Sequence, residues 1–285
     1  MKRYLLFILF VISAESLSGQ IARQRVVADR PIENTFFSQK ATILQTVETI
    51  SQQEMLFSIM HVFGPVGGGV NEFWGLDTYA NIRLGLDYGI RDNFSVGIGR
   101  SKLDKTVDMR FKYNWLRQME SGKNPVSVAF IGNTAVDTRK TPGNRSVGDR
   151  MSFMGSVLLA RKMNETVSVQ LSPTITHFNV VRAEQENTAI SVGWITRYRY
   201  APNRALAFEA APIIMGASAN TYPHMALSYE METGGHVFQL FFAVGDGLNE
   251  QYAIGRTQNP LFRENEPSFR FGFNVNRIFR VGERY

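Results

Sequence analysis

The sequence predicts an all-β protein, an antiparallel transmembrane up-and-down β-barrel of about twelve strands. Three observations carry that expectation. From Glu54 onward, segments of about ten residues alternate apolar and polar side chains. The connections between them alternate between short and long. A stretch that reads as a secretion signal precedes them.

The alternation is cleanest in Val107-Asp108-Met109-Arg110-Phe111-Lys112-Tyr113-Asn114-Trp115. Odd positions are apolar or aromatic, and even positions are charged or amide. A strand turns successive side chains to opposite faces, so this stretch has one apolar face and one wet face.

The elements follow in order. Lys2 and Arg3 form a short basic region, and Leu5 to Ile12 an apolar core too short to span a bilayer. Ser16, Ser18 and Gly19 suit cleavage near Gln20. Residues 1–19 therefore read as a signal peptide. The chain has no cysteine, which excludes a lipoprotein anchor, disulfides and a thiolate metal site. After the signal no apolar run approaches a membrane helix, so a membrane reading must be a barrel. Residues 20–53 read as a periplasmic or plug segment and 54–285 as the barrel. Within the former, Ala41–Ile50 has strand-like composition, and a strand there would be the thirteenth.

The twelve strands are expected near Glu54–Phe63, Thr78–Ile90, Asn93–Ser101, Lys105–Trp115, Pro125–Val136, Arg150–Arg161, Glu165–Phe178, Thr188–Tyr200, Arg204–Ile214, Pro223–Met231, Gly235–Gly245 and Ser268–Phe279. Short turns at Arg91-Asp92, Met163-Asn164, Ala201–Asn203 and Glu232–Gly234 follow even strands. Long loops at Gly64–Asp77, Asp137–Asp149, Asn179–Asn187, Met215–Tyr222 and Asp246–Pro267 follow odd ones. Outer-membrane barrels have short periplasmic turns and longer external loops. Two connections fit poorly: Lys102–Asp104 is short for a loop, and Leu116–Asn124 is long for a turn.

Parity assigns the faces. Ile82, Leu84, Leu86 and Tyr88, or Val167, Val169, Leu171 and Ile175, should meet lipid. So should Ile190, Val192, Trp194 and Tyr198, and Phe269, Phe271, Phe273 and Val275. A soluble sandwich also alternates, but packs its apolar face inward. The signal, the even count, the loop parity and aromatics near strand ends favour the barrel.

The opposite faces supply the candidate lumen residues: Arg83, Asp87, Asp108, Arg110, Lys112, Arg197, Arg199, Glu209, Glu230 and Arg270. Two readings stand. A ring of charge with a basic excess would select anions in a pore. Alternatively the charges cross-pair and fill the interior, as in small barrels. Phe111 should face lipid between lumen-facing Arg110 and Lys112. On parity alone, Arg110→Ser should leave folding nearly intact.

No catalytic residue, metal site or cofactor is expected, and the chain does not read as an enzyme. The four histidines have no HxH or HxxxH spacing and read as structural or solvated. Gly67-Gly68-Gly69 lacks the lysine and the strand–helix setting of a phosphate loop. Gly97 and Gly99 lie inside a strand, where glycine relieves curvature or crowding. Asp246–Glu250 misses the spacing of a calcium loop and reads as a solvated external loop.

Net charge is +6, of which Lys2, Arg3 and Glu15 contribute +1, and the pI is about 9.6. For an exported barrel the expected partners are outer-membrane lipid and lipopolysaccharide, with small anionic solutes, rather than nucleic acid. The expected location is the bacterial outer membrane.

Phe63-Gly64, Gly67–Gly69, Phe73–Asp77 (FWGLD), Ala80–Gly89 (ANIRLGLDYG) and Gly97–Ser101 (GIGRS) carry a resemblance. So does Gln45–Thr49 upstream. The chain resembles the uncharacterised outer-membrane β-barrel proteins of Bacteroidota, most strongly over Gln45–Asp108. The resemblance implies fold and location but no reaction. Motif density around the first long loop suggests that this loop matters, for example by folding into the lumen.

Two functions fit these features. One is a channel for small hydrophilic or anionic solutes. The other is a non-conducting scaffold whose external loops bind a partner or stabilise the envelope. The second rests on the Gly64–Asp77 loop and on Tyr252, Arg256, Phe262 and Arg263, since aromatics and arginine anchor interfaces.

Overall fold

A computed structural model describes residues 29–140, 145–264 and 266–281. The expected signal peptide lies outside them. The strands are β1 (Glu54–Pro65), β2 (Asn81–Arg91), β3 (Phe94–Ser101), β4 (Val107–Leu116), β5 (Ser127–Val136), β6 (Met151–Lys162), β7 (Val167–Phe178), β8 (Thr188–Ala201), β9 (Arg204–Ala211), β10 (Ile213–Met215), β11 (His224–Glu232), β12 (His236–Ala243), β13 (Phe262–Arg263), β14 (Glu266–Pro267) and β15 (Arg270–Arg280).

Neighbours in sequence pair antiparallel around the sheet, and β1 closes it against β15. β13 and β14 form a separate hairpin outside the wall. β10 continues β9 past Pro212, whose missing N–H interrupts the ladder without moving the register. Ala210 faces Trp194 and Ile213 faces Ser191. Among the described residues the wall therefore has twelve staves, each at its expected place within a few residues.

Burial alternates along the staves in the sense a membrane requires. In β2, Asn81, Arg83, Gly85 and Asp87 are buried while Ile82, Leu84, Leu86 and Tyr88 are exposed. A sandwich would show the reverse, because its apolar face is its core. Here the apolar face looks outward and the polar face fills the interior.

The two poorly fitting connections have physical reasons. The β3–β4 loop is a single 3-10 turn at Leu103–Lys105, with Asp104 and Lys105 at positive φ. The longer neighbouring loop folds over it: Arg139 pairs with Asp104 at 2.7 Å, and Thr138 Oγ1 donates to the Lys105 carbonyl. The long β4–β5 turn clamps the incoming N-terminal segment. Ile32 N–H donates to the Gln118 carbonyl at 2.7 Å, and Glu120 N–H to that of Arg30 at 2.9 Å.

That segment then runs inside the barrel. From Thr35 to Val47 every residue but Phe37 is buried. It turns back on itself at Lys40–Gln45, where Ala41 N–H donates to the Leu44 carbonyl at 3.0 Å. It joins no stave, so Ala41–Ile50 is not a thirteenth strand of the wall.

From the long-loop end a second element descends. Helix α1 (Glu250–Gly255) is capped by Asn249, whose side chain accepts Gln251 N–H at 3.1 Å. Leu248, Glu250, Gln251, Ala253 and Ile254 are buried. This corrects the reading of Asp246–Glu250 as a solvated loop. The Gly64–Asp77 loop is corrected in the opposite direction. It stays outside the lumen as a kinked 3-10 segment, with Phe73 and Trp74 about half exposed and both at positive φ.

Candidate functional site

The site is the filled lumen, and its wall has three sectors. The first, on β2 to β4, is a charge network. Arg83 grips Asp108 with both Nε (3.1 Å) and Nη2 (2.6 Å). Arg110 donates to both oxygens of Asp87, by Nε at 2.6 Å, and reaches Asp108 by Nη1 at 3.2 Å. All four side chains are buried. Two forked, charge-assisted pairs of this kind offset the desolvation of the ions. Gly97 and Gly99 make the space: a Cβ at either would overlap Asp87 or Arg83. The interior glycines thus relieve crowding.

The second sector, on β5, β6 and β8, is apolar on its inner face. Ala129, Ile131, Met154, Leu158, Ala160 and Ile195 form one cluster with Phe36, Leu44 and Val47 of the N-terminal segment and Ile254 of α1. The outer face here is apolar too, with Phe130, Phe153 and Leu159 exposed. Such two-faced apolar strands are buried on both sides, here by lipid and by the segment.

The third sector, on β9 to β15, binds the tip of the segment. The Glu209 carboxylate accepts N–H bonds from Thr42 (3.0 Å), Ile43 (2.9 Å) and Leu44 (3.1 Å), and His224 Nε2 lies 2.7 Å from its Oε1. Gln45 N–H donates to Glu250 of α1 at 2.7 Å. Two carboxylates thus take four successive backbone donors, an arrangement of the kind that holds anions in backbone nests. Asn274 donates to the Thr42 carbonyl at 2.8 Å, and Gln239 donates to those of Lys40 and Ala41. Glu230 accepts from Gln239 at 2.6 Å.

Cations close the circle. Lys112 Nζ donates to the carbonyls of Thr46 (3.0 Å) and Glu48 (2.9 Å). Arg197 donates to the Asn34 carbonyl at 2.8 Å and covers the Phe37 ring at 4.5 Å. Gln170 both accepts from Val47 N–H (2.9 Å) and donates to the Gln45 carbonyl (2.7 Å). Most backbone groups of the turn are satisfied by side chains of the wall and of α1, and the rest within the segment, as a buried segment without ladder partners requires. Burial pushes the Glu250 carboxyl up, with Lys40 opposing, and pulls the Lys40 ammonium down to about 8.

Of the lumen candidates, Arg83, Asp87, Asp108, Arg110, Lys112, Arg197, Glu209, Glu230 and Arg270 are buried in the interior. Arg270 donates to the Phe63 carbonyl at 3.2 Å near the long-loop end. Arg199 sits at the short-turn mouth and pairs with Glu165. The ten do not form one ring: apart from Arg199 and Arg270 at the two ends, they divide between the charge network and the sector that holds the segment. Two proposed interface residues are also redirected. Tyr252 and Arg256 pack on Phe178 inside the mouth, at 5.3 Å and 3.9 Å, while Phe262 and Arg263 remain exposed.

Sequence reasoning missed His224 as the partner of Glu209, and Gln170, Gln239, Asn274 and Glu250 as anchors. The inner apolar run of β5 and β6 was the available signal, because a water-filled lumen does not need it.

Closed staves, an exposed apolar belt and a polar interior define a β-barrel of the outer membrane, channel-like in fold. The chain belongs to the family described as membrane bound beta barrel domain (DUF5777), whose profile matches residues 36–279. Among solved structures it is similar to the NanC porin, at 6% identity over 78% of this chain and 98% of that one, with a TM-score of 0.51. An outer membrane channel from Pseudomonas putida F1 aligns at 10% identity over 82% and 98%, with a TM-score of 0.47. At 6% identity the likeness to the NanC porin is one of fold. No curated protein matches the chain in sequence.

Proposed function

We propose that the protein is an occluded outer-membrane barrel, porin-like in its wall, whose N-terminal segment acts as a plug. The observation that carries this is the capture of four successive N–H groups at the tip by Glu209 and Glu250. The plug meets the interior on all sides, polar on β9 to β15 and apolar on β5, β6 and β8. With α1 descending from the other end, the interior is entered from both mouths, and on this reading the resting barrel is closed to solutes. Of the basic groups expected to select anions, Arg83 and Arg110 serve the network and Lys112 and Arg197 the plug, so anion passage belongs to a state with the plug displaced.

The test is conductance in planar bilayers. The full chain should be silent, and a variant lacking residues 35–47 should give steady ohmic steps. Steady conductance by the full chain would overturn the reading. Silence in both would favour the non-conducting scaffold, which the filled interior also suits.

A further inference from the structure

Above α1, at the long-loop end, lies a cavity of about 590 Å³, within the usual range for small-molecule sites. Tyr252 and Arg256 of the descending loop form its floor, Phe178 its wall and Arg182 its rim. The Arg256 guanidinium lies 3.9 Å over the Phe178 ring, and Tyr252 meets that ring edge-on at 5.3 Å.

The acids around it are engaged. Asp104 and Asp137 both pair with Arg139, at 2.7 and 2.6 Å. Asp149 accepts Ser146 N–H at 2.9 Å, and Asp246 is hydrogen-bonded to Tyr79. Arg150 donates to the carbonyls of Asp137 (3.1 Å) and Ser146 (3.4 Å). Arg145, Arg182 and Arg256 also line the cavity, and among the described residues none of the three makes an ion pair with a carboxylate; of them Arg256 is fixed on the Phe178 ring and Arg182 stands at the rim beside it. Burial and the neighbouring Arg182 both disfavour the charge on Arg256. An oxyanion between the two would relieve that repulsion and match their forked donors.

We propose that this external vestibule binds a small free solute bearing a carboxylate or phosphate. Arg182 and Arg256 anchor the oxyanion, and Phe178 and Tyr252 pack against the rest. The site opens inside the rim rather than on the lipid belt, which selects a dissolved solute over a lipid headgroup. No residue of the N-terminal segment lines it.

The test is calorimetric titration of the refolded full chain with glucuronate, inorganic phosphate and glucose. At least one anion should bind and glucose should not. Arg182→Gln should weaken binding tenfold or more. Arg182 is exposed, so this variant keeps its heat-modifiable migration, whereas Arg256→Gln could also loosen α1. Absence of binding by both anions, equal binding of glucose, or unchanged affinity in Arg182→Gln would overturn the proposal. So would full displacement of the bound anion by lipopolysaccharide, which would assign the site to lipid phosphate. None of these readouts involves conductance, so failure here is separable from failure of the plug reading.

Discussion

At the residue scale, Phe111 and Arg110 show how far parity reaches. Phe111 is about half exposed on the lipid side and lies across Gly132 of β5. Phe111→Arg would place a cation in hydrocarbon at a cost of roughly 2–4 kcal/mol near mid-bilayer. Refolding into vesicles should be impaired accordingly. Parity alone made Arg110→Ser nearly neutral, and the structure reverses that expectation. Removing Arg110 would strand Asp87, buried and without its cation partner, at a cost of about 3–5 kcal/mol. Urea unfolding in vesicles should show the loss. The double variant Asp87→Asn, Arg110→Met should recover part of it, because no buried charge is then left alone. Glu209→Gln is the matching test at the plug. An amide in place of the carboxylate supplies one acceptor oxygen instead of two. Amide hydrogen exchange at Thr42, Ile43 and Leu44 should quicken at least tenfold, with the staves unaffected. Unchanged exchange would remove Glu209 from its anchoring role.

At the element scale, two segments are held by contacts that neither composition nor period announces, although residues 20–53 already read as a periplasmic or plug segment. The tip of the N-terminal segment is a turn whose backbone is satisfied by side chains of distant strands, so no local pattern marks it. Helix α1 is only one and a half turns long and would not be stable alone. It holds because Ile254 enters the apolar cluster and Glu250 meets Gln45. Ile254→Asp should therefore release the loop. Trypsin should then cleave after Arg256 in the refolded barrel, where the parent chain resists. Protection unchanged in the variant would mean that the helix is held by other contacts. The Phe73-Trp74 segment is the converse case: a motif-rich loop that the fold leaves outside.

At the scale of the whole molecule, closure is the stabilising event. A sheet in lipid cannot leave an edge unpaired, and β1 against β15 removes it. The full chain should therefore migrate differently on gels before and after heating. A single heat-independent band from detergent-refolded protein would contradict the closed wall. The sequence by itself determined the staves, their order and their two faces. Each is a period-2 pattern bounded by turns, a local property that the membrane enforces one strand at a time. Only the tertiary structure decided what fills the barrel. Whether Glu209, Lys112 and Arg197 line a water channel or hold a plug depends on contacts between residues more than sixty positions apart. Parity carries no such information, because a side chain that faces inward looks the same from the sequence whether it meets water, a counter-charge or another part of its own chain.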